Sequence, residues 1–173
     1  MTPEPLSDVT SEVVQLVQDL IQIDTSNYGD DSGPGEALAA EYVEAKLREV
    51  GIDCERYETT SGKRQGVYAR IAGEDSSRQA LMLHGHLDVV PAQASDWQFD
   101  PFAAEIHEGC IWGRGAVDMK DGVGMILALM RSYVRNGIKP PRDIVLQFLP
   151  DEEAGSRHGS HWLTANRKDM FEN

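Results

Sequence analysis

Between Ala80 and Pro91 the chain reads ALMLHGHLDVVP, and its ionisable side chains fall on alternate positions: His84, His86 and Asp88. On an extended strand residues i, i+2 and i+4 share one face. Three polar groups therefore converge where a short apolar run, Ala80 to Leu83, leaves the core. Imidazole nitrogen is a good ligand for zinc-like metals, and a nearby carboxylate commonly holds the second ring nitrogen. Two further places carry acids of the same promise: Asp118, inside GRGAVDMKDG, and Glu152-Glu153, which follow the apolar run DIVLQFL. Adjacent glutamates pressed together repel unless a cation lies between them or one proton is shared. A metal resolves that conflict, and a metal beside a spare carboxylate can activate water. Nucleotide chemistry is excluded at the glycine-rich segment. Gly113-Arg114-Gly115 begins like GxGxxG, but Asp118 stands at the third glycine position and would repel a pyrophosphate. The sequence contains neither GxxxxGK[ST] nor a GxSxG elbow.

These groups need strands and helices to bring them together. Val9, Val13, Leu16, Val17, Leu20 and Ile21 recur at helical spacing behind a candidate N-cap, Ser7. Residues 24–36 form a turn-rich loop. A second amphipathic helix spans about 36–50, with Leu38, Tyr42, Val43, Ala45 and Leu47 on or near its buried face, and Gly51 stops it. Residues 52–60 and 66–71 read as strands joined by Ser61-Gly62-Lys63, and the strand at 80–84 follows. A long loop carries Trp97, Phe99 and Phe102, which read as loop packing, and a short hairpin turns at Glu108-Gly109. An apolar helix over about 123–134 and a central strand over 143–149 precede a last helical stretch, 155–167. Strands alternating with helices predict an α/β fold, a mostly parallel mixed sheet with helices on both faces. Parallel strands bring their carboxyl ends to one edge, where His84, His86, Asp88, Asp118, Glu152 and Glu153 can meet.

The 173 residues suffice for one domain with a real core, and 40% hydrophobic and 26% charged residues are ordinary for a soluble globular protein. A net charge of −13 argues against nucleic acid and against anionic membrane surfaces. Cys54 and Cys110 form no CxxC pair, so reduced thiols in a cytoplasmic protein are expected. Residues 1–20 lack the pattern of a signal peptide, and no apolar run approaches the ~20 residues of a membrane span.

HGHLDVVP, GRGAVDMKDG and PDEEAGS together resemble, in order and spacing, the site motifs of the zinc-dependent aminoacylase/carboxypeptidase family. These M20-type metallopeptidases include acetylornithine deacetylase, succinyl-diaminopimelate desuccinylase, glutamate carboxypeptidase and dipeptidases. The resemblance covers nearly the whole chain and implies a role for each matching residue. His86 would be a ligand to one metal, with Asp88 orienting it; Asp118 would bridge two metals; Glu153 would bind the other. Glu152 would be the general base and acid, making Asp88 and Glu152 the catalytic carboxylates. Two Zn2+ ions are implied, with Co2+ or Mn2+ as substitutes. The implied substrate is a small N-acyl amino acid or a dipeptide, in a homo-oligomer. His84 is not a ligand position in the family motif and is expected to be structural or to lie outside the ligand set. His158 and His161 are expected to be surface or packing residues, and Arg114 and Lys120 are expected to brace the Asp118 loop.

Family members run to more than twice this length. They add a further acidic ligand, a distal histidine and a smaller lid domain, none of which the motifs here supply. Asp169 and Glu172 fall too early for the missing acid. Residues 1–173 are therefore expected to be the N-terminal portion of a catalytic domain, each metal keeping two protein ligands. Such a piece should bind metal weakly, hydrolyse nothing by itself, and leave Met125, Ile126, Leu129 and Met130 under-covered and prone to associate. The alternative is a non-catalytic truncated fragment or pseudoenzyme that keeps the fold for association.

Overall fold

A computed structural model describes residues 6–171. Ser7, expected as the cap of the first helix, instead falls inside it, the helix already running from Leu6, and the acid Glu172 lies outside the described residues. Helix α1 (Leu6–Gln22) and helix α2 (Ala37–Arg48) lead into strands β1 (Cys54–Glu58), β2 (Gln65–Ile71) and β3 (Leu81–His86). A two-stranded hairpin, β4 (Ile106–His107) and β5 (Cys110–Ile111), precedes helix α3 (Lys120–Arg135), strand β6 (Ile144–Leu149) and helix α4 (Ser160–Asn166).

Strands β1, β2, β6 and β3 form one sheet in that order. The α/β class and the helices on both faces are as the sequence predicts; the strand sense differs from a mostly parallel sheet. Only β3 and β6 run parallel, whereas β1–β2 and β2–β6 are antiparallel. Connection length explains this. Residues 59–64 and 72–80 carry no helix and are too short for a crossover, so the chain reverses. Between β3 and β6 stands α3, a helical crossover that restores a parallel neighbour. That single parallel pair delivers both strand ends to the same edge.

One face of the sheet packs under α1, α2 and α3. Leu20, Val43, Leu47, Val67, Leu127, Leu146 and Phe148 are its fully buried centre. The opposite face is covered by α4, where Tyr57, Leu163 and Met170 cluster. The buried stripe of α2 is Ala39, Ala40, Val43 and Leu47, while Leu38 and Ala45 are exposed. Glu36 is buried at the start of α2, and the small Ala39 and Ala40 face the core. Gly51 turns the chain out of α2 with φ +82°. The helix expected over 155–167 begins only at Ser160, because Gly155 and Ser156 both adopt positive φ. On α3, Met125 and Leu129 are exposed, but Met130 is buried, correcting its expected exposure.

The long loop packs on the hairpin as expected: Phe99 stacks on His107 with 3.6 Å between ring centroids and meets Trp112 edge-on. His107, for which the sequence suggests no partner, also bonds Glu105 at 2.7 Å. No helix among the described residues is long and apolar enough to cross a membrane. Cys54 and Cys110 are both free thiols.

Candidate metal centre

His86 ends β3, Glu152 and Glu153 follow the end of β6, and Asp118 lies just before α3. The parallel register pairs His86 with Leu149, so both strands finish at one level. Nε2 of His86 lies 3.0 Å from Asp118 Oδ1 and 3.8 Å from Glu152 Oε2. Ligand atoms of His86, Asp118 and Glu153 all fall within 4.8 Å of one another. An imidazole nitrogen and two carboxylates are a donor set suited to zinc and similar divalent cations. The residues present therefore fit a metal ion.

The other ring nitrogen is held from behind. His86 Nδ1 lies 3.0 Å from the Asp88 carbonyl oxygen and 3.5 Å from its carboxylate Oδ1. This leaves Nε2 facing the acids, the orientation a ligand histidine needs. Asp88 is fully buried and does more than orient His86. Its Oδ1 accepts the Glu152 backbone N–H at 2.9 Å, and its Oδ2 accepts the Glu153 N–H at 3.0 Å. One carboxylate thus ties the histidine strand to the turn that presents both glutamates.

The charges respond to this crowding. Burial by itself lowers the pKa of His86, but the hydrogen bonds and charge of Asp88, with Asp118, outweigh it and hold the imidazole up at about 9. Burial, together with the nearby Asp118, Asp88 and Glu152, raises Glu153 despite His86. Burial also pushes against ionisation of Asp88, yet bonds from His86, Asn27 and two backbone amides keep its pKa low. A site where acids crowd and one proton is retained is poised for a cation to replace that proton.

A cavity of about 370 Å³ opens over these groups, lined by His84, His86, Asp118, Met119, Leu149, Glu152, Ser156 and Ser160. That volume is at the small-ligand end of binding clefts. His84 lines it from the exposed face of β3, outside the metal-ligating group. Thr60 Oγ1 and His158 Nδ1 are 2.7 Å apart, away from the centre, and His161 is exposed. Arg114 lies over the Trp97 ring. Lys120 is fully buried and donates to the carbonyls of Leu20 and Ile23, closing the end of α1. The Lys120 stem packs under Gly115 of the Asp118 loop, and neither cation is hydrogen-bonded to Asp118 itself.

Three residues that motif reading did not select stand behind the centre. Asn27 donates through Nδ2 to Asp88 and Asp151, at 2.8 and 2.9 Å, and accepts from Arg64 at 2.9 Å. Arg64 in turn pairs with the fully buried Glu36 at 2.6 Å. Their one sequence signal is Glu36 at the head of an apolar stripe, a place where an exposed acid would be ordinary.

Comparison with known proteins places the chain in a family. The sequence model of peptidase family M20/M25/M40 matches residues 82–172, just over half of the chain. The chain belongs to this family. It is 34% identical to succinyl-diaminopimelate desuccinylase 2 of Ruegeria sp. (strain TM1040), over 96% of this chain and 42% of that protein. The fold matches an M20 family metallo-carboxypeptidase from Sulfolobus solfataricus with TM-score 0.75 and 21% identity, over 93% of this chain and 36% of that one. Human carnosine dipeptidase 1 matches with TM-score 0.73 and 22% identity, over 98% and 40%. The chain thus spans about two fifths of the length of the relatives it matches.

Proposed function

We propose that this chain is the N-terminal, metal-holding portion of a hydrolase that cleaves an amide or peptide bond in a small N-acyl amino acid or dipeptide-like substrate. The observation that supports this most is the meeting of His86, Asp118 and Glu153 donor atoms within 4.8 Å, with Glu152 alongside. In this reading His86, Asp118 and Glu153 would hold two zinc ions, His86 serving one, Glu153 the other and Asp118 both. When bound, such ions supply Lewis acidity toward a carbonyl and lower the pKa of water toward neutrality.

The protein's own groups do the rest. Glu152, half exposed at the cavity wall, takes a proton from the attacking water and passes it to the leaving amine. Asp88 keeps the His86 ring turned so that Nε2 faces the acids, and its two backbone bonds fix where Glu152 and Glu153 stand. The products are a carboxylate and an amine. The desuccinylase relative and the dipeptidase and carboxypeptidase neighbours agree with amide or peptide substrates but do not choose among them. By itself the 173-residue chain supplies three ligands for two ions and is expected to hydrolyse nothing.

The test is a panel of N-acyl amino acids and dipeptides offered to the product of the full reading frame. Chelator-sensitive hydrolysis is expected, and Glu152→Gln should lose about 10²–10⁴-fold in kcat while keeping its metal. A Glu152→Gln enzyme of undiminished activity would overturn the role given to Glu152.

A further inference from the structure

Behind the metal-holding residues lies a buried polar chain. The loop 24–36 runs alongside the segment after β3: Thr25 Oγ1 donates to the Leu87 carbonyl, and the Asn27 N–H donates to the Val89 carbonyl at 2.9 Å. This places the Asn27 amide between two buried carboxylates, Asp88 and Asp151. Both donor hydrogens of the amide are spent there, so its orientation is fixed from the other end. Arg64 does that together with the Gly29 N–H, both donating to Asn27 Oδ1, at 2.9 and 3.0 Å. Arg64 is itself 4% exposed at the side chain and forked, with Nη1 on Glu36 and Nε on Asp31. The loop's approach to Arg64 is close. Gly35, at φ +77°, would place a Cβ within 2.7 Å of the Lys63 carbonyl oxygen, and the Glu36 N–H donates to that same oxygen.

Each end of the chain bears on the glutamate turn. Asp88 accepts the Glu152 and Glu153 amides, while Asp151 anchors the far side by accepting the His158 N–H at 2.8 Å. Asp151 stands in a left-handed conformation at φ +62°, which costs energy for a non-glycine residue and persists only where contacts hold it. The guanidinium also lies 3.9 Å from Asp151 and offsets the repulsion among the acids gathered here.

We propose that Asn27 and Arg64 are positioning residues for the metal centre: through Asp88 and Asp151 they lock the turn 151–153, and thereby set how tightly Glu153 and its partners hold an ion. The metal part of this inference rests on the function proposed above; the locking of the turn does not.

Two measurements on the metal-free and cobalt-loaded chain test it. In amide hydrogen exchange, Asn27→Ala should speed exchange at Glu152 and Glu153 by about tenfold or more, leaving Leu146 and Phe148 in β6 unchanged. Its Co2+ affinity should fall about 10–100-fold, with an altered cobalt absorption spectrum. Arg64→Ala would strand Glu36 and could unfold the chain, so the double variant Arg64→Met/Glu36→Gln removes both charges together. It should repeat the Asn27→Ala signature, and Arg64→Lys should restore part of the affinity. Unchanged exchange at Glu152 and Glu153 in Asn27→Ala overturns the proposal. So does faster exchange spread equally through β6, which marks a merely structural role. Wild-type chain that takes up no cobalt while the exchange result stands would instead overturn the metal reading.

Discussion

At the scale of single residues the centre is organised by what His86 must give up. Its pKa, held at about 9 by Asp88 and Asp118 against the opposing effect of burial, leaves it protonated at neutral pH in the metal-free chain. A ligand imidazole must be neutral, so the ion has to displace that proton. Metal uptake at pH 7 is therefore expected to release about one proton per ion from this residue, and affinity should climb as pH rises toward 9 and level off above it. Calorimetric titration in two buffers of different ionisation enthalpy reads the proton count directly. Binding enthalpies that are independent of the buffer at pH 7 would contradict a charged His86. The roles of His86, Asp118, Glu152 and Glu153 can be suggested from sequence because each stands in a local motif at the end of an apolar run. Asn27, Arg64 and Glu36 cannot. Their partners lie 28 to 124 positions away, and each by itself looks like an ordinary polar surface residue.

At the scale of elements, Lys120 joins the site to the scaffold. It begins α3 two residues after Asp118, and its buried ammonium donates to Leu20 and Ile23 at 2.9 and 2.7 Å, at the carboxyl end of α1. A cation there satisfies the Ile23 carbonyl and adds to the Ile23 N–H that already donates to Leu20. Lys120→Met is expected to destabilise the chain by about 1–3 kcal/mol, read as a lower urea midpoint. Burial lowers the folded pKa of Lys120 from 10.5 to about 8. The part of its contribution linked to this depression is thus present above 10.5 and is lost as pH falls through 8, so the deficit of the variant should grow between pH 8 and pH 10. A deficit that shrinks over that range would be inconsistent with a depressed ammonium. The elements themselves are legible in sequence wherever periodicity is strong: α1, α3, β3 and β6 appear where the apolar pattern puts them. Strand sense is not legible in the same way, because it depends on which distant strands become neighbours. The early part of the expected last helix fails for a local reason, the positive φ of Gly155 and Ser156.

At the scale of the whole molecule, one parallel strand pair and one crossover helix bring three separate stretches of sequence to a single edge. The other two pairings of the four-stranded sheet are antiparallel and carry no candidate metal ligand. The proposed function depends on His86, Asp118 and Glu153 acting together on a divalent ion. Equilibrium dialysis of the metal-free 173-residue chain against zinc, with metal counted by elemental analysis, tests that most directly. The wild-type chain should retain at least one ion per molecule when zinc is in excess. His86→Ala, Asp118→Ala and Glu153→Ala should each weaken uptake by about tenfold or more while remaining folded by circular dichroism. A wild-type chain that holds no zinc, or three variants that hold it as well as wild type, would contradict the account.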